Sequence, residues 1–195
     1  MSARSCTGAI LAGGQSSRMG GTPKGLLKVS GERIIDRAAH ALREATDSII
    51  VVANDPAADE WIPGVQAVRD ERPGLGALSG IHAALRASGT DLLVLAWDAP
   101  FVSGPLLRAL RDAGEIEGAG MAAPTSGSPW GFEPLCCWLS ADAIGAVDAL
   151  VDANDGRVGA LGERIRLVTV DASSWGDPDD IFFNVNSPTD IDRAA

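Results

Sequence analysis

Three short segments of the chain are apolar at nearly every position: CTGAILA (residues 6–12), SIIVVAN (48–54) and DLLVLAW (91–97). A strand with one face in water alternates polar and apolar residues, because successive side chains point to opposite sides. Runs without that alternation belong to strands covered on both faces, as in the centre of a parallel sheet. Helical patterns stand between and after them. In ERIIDRAAHALREAT (32–46), Ile35, Ala38, Ala39 and Leu42 recur at i, i+3, i+4 and i+7, one face of a helix. LSGIHAALRAS (78–88), SGPLLRALRDAG (103–114) and ADAIGAVDALVDA (141–153) read as further helices, GMAAPTSGSPWGFEPLCCWL (120–139) as two strands around a turn-rich loop, and RIRLVTVDA (164–172) as a strand. DIFFNVNSPTDIDRAA (180–195) is predicted to give a last strand and a terminal helix. This alternation specifies an α/β fold of three layers with a mainly parallel central sheet. No repeat or linker divides it, so a single domain over residues 1–195 is expected.

Charge narrows the partners. Asp and Glu number 26 against 16 Lys and Arg, a net charge of −10, and no basic block occurs. Such a chain repels polyanions, so neither nucleic acid nor an anionic membrane is an expected partner. The first apolar run ends in glycines and turn formers, which marks a buried strand instead of a signal peptide, and the cytoplasm is the expected compartment. Cys6, Cys136 and Cys137 have no metal-finger spacing, and with His40 and His82 the only histidines, a histidine-based metal site or triad is hard to assemble.

The loop after the first strand is the chemically dense part. LAGGQSSRMGGTPKG (11–25) holds five glycines and two cations, Arg18 and Lys24. Gly13 and Gly14 let backbone N–H groups face a phosphate without a Cβ in the way, and the cations supply charge. It is neither a Walker loop, because Leu26 stands where lysine would follow the glycine, nor a G-x-G-x-x-G dinucleotide loop. Ligands of open α/β sheets collect outside the carboxyl ends of the strands. Asp70, ending VQAVRD (65–70), and Asp98, ending LLVLAWD, belong to the same edge on this topology. Taken singly, Asp98 also suits a turn before Ala99-Pro100, and Asp70 a solvated loop. Trp97, Trp130 and Trp138 read as packing side chains.

L-A-G-G-x-S-x-R-M-G followed by P-K resembles the signature loop of nucleotidyltransferases with a Rossmann-like fold, of the kind that also includes nucleotide-diphospho-sugar transferases. Within them the chain looks most like the molybdenum cofactor guanylyltransferases of the MobA type. Lys24-Gly-Leu-Leu, Asp70 ahead of PGLGALSGI, Asp-Ala-Pro-Phe at 98–101, Glu133-Pro-Leu and Phe-Asn-Val-Asn-Ser-Pro at 183–188 carry the likeness along nearly the full length.

The resemblance implies an enzyme that joins GMP from GTP to molybdenum-molybdopterin, releasing pyrophosphate. Backbone atoms of Leu11, Ala12 and Gly13 would lie beside the base, with Gly14 and the later loop around the phosphates. Lys24 and Arg18 would act on the phosphates, and Asp98 would hold Mg2+. Asn54 and Asp70 would contact the nucleoside, and Asn184 and Asn186 the acceptor or metal side. A monomer or weak oligomer in transient contact with molybdoenzyme-maturation proteins is the implied setting. Cytidylyl transfer to the same cofactor, guanylyl transfer to another small phosphorylated acceptor, and a non-catalytic nucleotide or cofactor carrier remain open alternatives. Trp97 stands where a smaller residue is usual, and TSGSPWGFEP offers few cations for the acceptor phosphate.

Overall fold

The uninterrupted apolar runs lie at the middle of a seven-stranded sheet, where both of their faces are covered. The computed structural model describes residues 4–13, 18–19, 22–72 and 74–194. The strands are β1 (Cys6–Leu11), β2 (Ser48–Val52), β3 (Gln66–Val68), β4 (Asp91–Ala96), β5 (Met121–Pro124), β6 (Cys136–Leu139) and β7 (Leu167–Val170), in the order β7-β5-β6-β4-β1-β2-β3. β1 is flanked in parallel by β2 and β4, β3 continues in parallel beyond β2, and β7 is parallel to β5. Only β6 is reversed, antiparallel to both β4 and β5.

All six residues of β1 are buried, and they alternate between two cores. Cys6 and Ile10 join the core beneath α1 (Ile34–Arg43) and α3 (Gly104–Glu117), whereas Ala9 and Leu11 join the one beneath α2 (Ala77–Ser88) and α4 (Ile144–Asp152). That is the three-layer arrangement expected from the pattern. The predicted face of α1 is the buried one, with Ile35, Ala38, Ala39 and Leu42 all inside. The cysteines are free and buried, and burial pushes the Cys6 thiol up to about 12. Among the described residues no helix is long and apolar enough to cross a membrane.

The expected strand near the C-terminus does not form. Its place is taken by a short helix α5 (Pro178–Ile181), an irregular stretch, and α6 (Pro188–Ala194). Asp177 starts α5 by accepting the N–H of Asp179, with Pro178 in the first turn, a strong local helix signal that the apolar run masked. The N–H of Val185, which a strand would spend on a ladder, donates instead to the carbonyl of Asp98 at 2.9 Å. The C-terminal segment is thereby moored to the end of β4.

Candidate active site

The central strands end nearly level. Ala12 N–H donates to Val52 O at 2.9 Å, Ala53 N–H to Val68 O at 3.0 Å and Trp97 N–H to Leu11 O at 3.2 Å. Beyond these ends opens a cleft of about 640 Å³, whose lining includes Leu11, Gly13, Asn54, Asp70, Asp98 and Leu135. Five residues singled out from sequence therefore share one cavity. Ala12 is buried just behind it. Gly14 lies outside the described residues, as does the side chain of Arg18, whose backbone pairs with Pro23 in a two-residue ribbon.

On the β2–β3 side, short polar contacts fix the rim. Asn54 Oδ1 accepts the backbone N–H of Asp70 at 2.8 Å. Asp70 in turn accepts the N–H of Arg72 on Oδ1 at 2.8 Å and the Ser79 hydroxyl on Oδ2 at 2.7 Å. The Ser79 hydroxyl also lies 2.9 Å from Gly76 O, but its single proton favours the charge-assisted contact with the carboxylate. Asp70 thus ties the end of β3 to the first turn of α2. Between them, Gly76 takes φ 59° and ψ −135°, a backbone that residues with a Cβ rarely adopt. Asp70 is a built part of the rim and not a solvated loop charge. Fully buried Ser79 was not foreseen, although its place just after PGLGAL was a usable signal.

On the β4 side the contacts are ionic. Lys24 is only 5% exposed, so it is no surface cation. Its ammonium donates to Asp98 Oδ2 at 2.6 Å and to Asn186 Oδ1 at 2.9 Å. Gly25 lets the lysine reach this depth: a Cβ there would sit 2.1 Å from the Trp97 ring. Trp97 is itself buried and stacks on Trp61 with centroids 5.4 Å apart, so the ring has nowhere to retreat. Trp97 is thus a packing residue, and it sets the floor beneath the lysine.

Asn186 is held from behind. Asp190 Oδ2 accepts the N–H groups of Asn186 and Ser187 at 2.9 and 2.8 Å, and Asp190 N–H returns a bond to Ser187 Oγ at 3.2 Å. This is a capping box at the start of α6. The Asn186 N–H is the leading cause that holds the Asp190 carboxyl below the usual aspartate range. Asn184 is exposed and makes no hydrogen bond with the Lys24–Asp98 pair, so the structure brings in only the second of the two asparagines. Glu133, of the Glu-Pro-Leu motif, is half-buried; burial raises its carboxyl pKa, a hydrogen bond from the Leu135 backbone partly offsets this, and the charge of Asp98 adds to the rise.

Comparison with known proteins shows the family and the fold. The family model described as "MobA-like NTP transferase domain" matches residues 8–167. The chain is 35% identical over 192 residues to a probable molybdenum cofactor guanylyltransferase of Pelotomaculum thermopropionicum, covering 96% of this chain and 91% of that protein. It is 37% identical over 193 residues to the molybdenum cofactor guanylyltransferase of Cereibacter sphaeroides, covering 96% and 94%. Among solved structures it is similar to molybdopterin-guanine dinucleotide biosynthesis protein A from Archaeoglobus fulgidus, with a TM-score of 0.78, 25% identity and 96% of each chain covered. The 2-C-methyl-D-erythritol 4-phosphate cytidylyltransferase of Thermus thermophilus shares the fold, with a TM-score of 0.67, 18% identity and 95% of each chain covered.

Proposed function

The chain belongs to the MobA-like NTP transferase family, a family of nucleotidyltransferases, and from that premise we propose that it transfers GMP from GTP to the phosphate of molybdenum-molybdopterin. The observation that carries this reading is the convergence of Lys24, Asp98 and Asn186 at the lip of a cleft whose other lip is set by Asn54 and Asp70. An oxygen of the acceptor phosphate attacks the α-phosphorus of GTP in line, the bond to the bridging oxygen breaks, and pyrophosphate leaves. The attacking oxygen is already ionised near neutral pH, so positioning and charge neutralisation suffice and no protein nucleophile is required.

The protein's part follows from its own groups. Asn54 and the Asp70 rim seat the nucleoside, with the glycine loop at the phosphates. Lys24 exchanges its salt bridge for the incoming phosphate oxygens, and Arg18 adds a second cation from the loop. Asp98 and Asn186 present oxygens that already converge on one cation, the Lys24 ammonium, at 2.6 and 2.9 Å. Such hard oxygen donors suit magnesium, which takes one or two carboxylates and completes its shell with substrate phosphates and water. Bound there, it would supply charge neutralisation between the two anions.

Base choice falls to the β1 end. Leu11 O is taken by Trp97 N–H, and among the described residues no backbone donor bonds the carbonyls of Ala12 or Gly13. Guanine brings N1–H and N2–H donors to such acceptors, whereas cytosine lacks the matching pair. Leaving one or two of them unpaired corresponds to a preference of roughly tenfold to a hundredfold for GTP over CTP in kcat/KM. Incubation with each NTP, magnesium and molybdenum cofactor, read by pyrophosphate release and product mass, tests the proposal. The guanine dinucleotide product is expected. Preference for CTP would mark a cytidylyltransferase, and binding without product from any NTP would mark a carrier.

A further inference from the structure

Lys24 holds the position that two oxygens mark out for a cation. Its ammonium is buried between Asp98 Oδ2, at the end of β4, and Asn186 Oδ1, ahead of α6. The backbone behind each oxygen is fixed, by the bond from Val185 N–H to Asp98 O and by the two bonds from Asn186 and Ser187 to Asp190. The lysine is fixed too: Leu27 N–H donates to Lys24 O at 3.1 Å, and Gly25 rests on the Trp97 ring. A divalent cation drawing on the same two oxygens needs the ammonium's own position, since magnesium stands about 2 Å from its oxygen ligands. Two cations a few ångströms apart, largely screened from water, repel strongly. An ion arriving alone would strip a buried ammonium of its anionic partner among the described residues and gain one carboxylate and one amide oxygen in return. A triphosphate changes both sides of that balance. Its oxygens receive the ammonium and add hard ligands to the ion.

We propose that Lys24 keeps the metal position closed until nucleotide arrives, so that a divalent cation reaches Asp98 and Asn186 only together with the triphosphate. The inference rests on the function proposed above and adds an order of binding to it. It has a consequence that a purely phosphate-binding lysine would not produce. Removing the ammonium must open the position to a metal ion in the absence of any nucleotide.

The test is Mn2+ binding by the full chain without nucleotide, measured as Mn2+ retained with the protein on ultrafiltration. Three forms are compared: the native chain, Lys24→Met, and Lys24→Met combined with Asp98→Asn. Methionine keeps an unbranched stem and removes the charge. The native chain is expected to bind Mn2+ weakly, and Lys24→Met roughly ten- to a hundredfold more tightly, the equivalent of one charged hydrogen bond that the ion no longer has to break. The double variant is expected to return to the native level or below. Equal or weaker Mn2+ binding by Lys24→Met overturns the proposal, and so does a double variant that binds as tightly as Lys24→Met. Filtration with GTP present separates the outcomes further, because Mn2+–GTP that is not on the protein passes the filter. If GTP brings Mn2+ onto the native chain while Lys24→Met gains nothing without nucleotide, this inference alone fails. If neither GTP nor Lys24→Met brings Mn2+ to the protein, the metal reading of Asp98 falls with it. GMP transfer by the native chain is read independently, by product mass. Should Lys24→Met fold poorly, Lys24→Gln removes the same charge, and tighter nucleotide-free Mn2+ binding is again expected, with unchanged affinity overturning the proposal.

Discussion

The two lips of the cleft are held in opposite ways. On the β2–β3 side, Asn54, Asp70 and Ser79 are locked by hydrogen bonds between near neighbours, at most 16 residues apart in the chain. On the β4 side, Lys24, Asp98 and Asn186 are locked by charge across separations of 74 and 162 residues. On the proposed reaction the first lip is preformed, whereas the second has satisfied itself and must give up its salt bridge before the lysine can serve a phosphate. A preformed group costs no reorganisation when the ligand arrives, and a stored one does.

Substitutions in the ionic lip should break the comparison most sharply. Asp98→Asn is expected to lower turnover by at least about three orders of magnitude, since it removes an anchoring charge and the counter-charge of Lys24 together. Lys24→Ala is expected to cost about two to three orders of magnitude. Their effects on stability should rank in the same order, for a separate reason. With asparagine at position 98, the lysine side chain, 6% exposed, keeps only neutral amide oxygens as partners; without Lys24, the carboxylate, its side chain 20% exposed, still reaches water. Stranding the buried ammonium corresponds to about 1–3 kcal/mol. Thermal melts should therefore place Asp98→Asn below Lys24→Ala. The reverse order would mean that the pair is less buried in solution than its geometry implies.

Gly25→Ala addresses the storage of the lysine without touching a charge. The new methyl would overlap the Trp97 ring, and the Trp61 stack behind that ring blocks its retreat. The Lys24–Leu26 turn must lift instead. A displacement of about 1 Å at a reacting group can cost up to a hundredfold. Turnover is expected to fall roughly ten- to a hundredfold, with nucleotide KM little changed and tryptophan emission altered. A variant with normal turnover and unaltered emission would show that the floor yields.

Asp70→Asn probes the preformed lip, where the loss should appear in binding. Each carboxylate oxygen accepts one donor, from Arg72 N–H and from Ser79 Oγ. An asparagine can accept only one of them and turns an NH2 toward the other. The rim between β3 and α2 should loosen, raising nucleotide KM by about tenfold, the equivalent of one lost hydrogen bond to a charged group, with kcat largely kept. A fall in kcat with unchanged KM would move Asp70 from the binding lip to the chemistry.

What was legible in the sequence follows the same division. The apolar runs without alternation specified the central strands, and the periodicity of Ile35, Ala38, Ala39 and Leu42 specified the buried face of α1, because both signals are local. The acidic residues ending β3 and β4 could be placed on one edge from topology alone. The pairing of Lys24 with Asp98 could not be read, because it depends on how deeply the loop settles on Trp97, a contact between distant parts of the chain. The same holds for Asn186, whose position depends on the bond from Val185 to the Asp98 carbonyl. The segment around Phe182 and Phe183 misled for a related reason. Its apolar side chains suit a strand, but the Asp177-Pro178 start and the Ser187-to-Asp190 box set two helices around it.

That box also yields the smallest expected effect. In the folded chain the Asp190 carboxylate accepts the N–H groups of Asn186 and Ser187, which holds its pKa below that of the unfolded chain. A depressed folded value means that the contribution to stability is fully present above the ordinary aspartate pKa, about 4, and is lost as pH falls through the folded value. The stability gap between the native chain and Asp190→Asn should thus stay constant from neutral pH down to about 4 and close only in more acid solution. At neutral pH the variant keeps one side-chain oxygen for the two N–H groups but loses the charge that strengthens those bonds, and it leaves Lys24 and Asp98 in place. Its kcat should fall by less than in either charge variant or in Gly25→Ala. Denaturant unfolding from pH 7 to pH 2 is the measurement, and a gap that widens on acidification would contradict the capping role. The gap is small because the box only steadies the far partner of the lysine, while Asp98 still holds its charge.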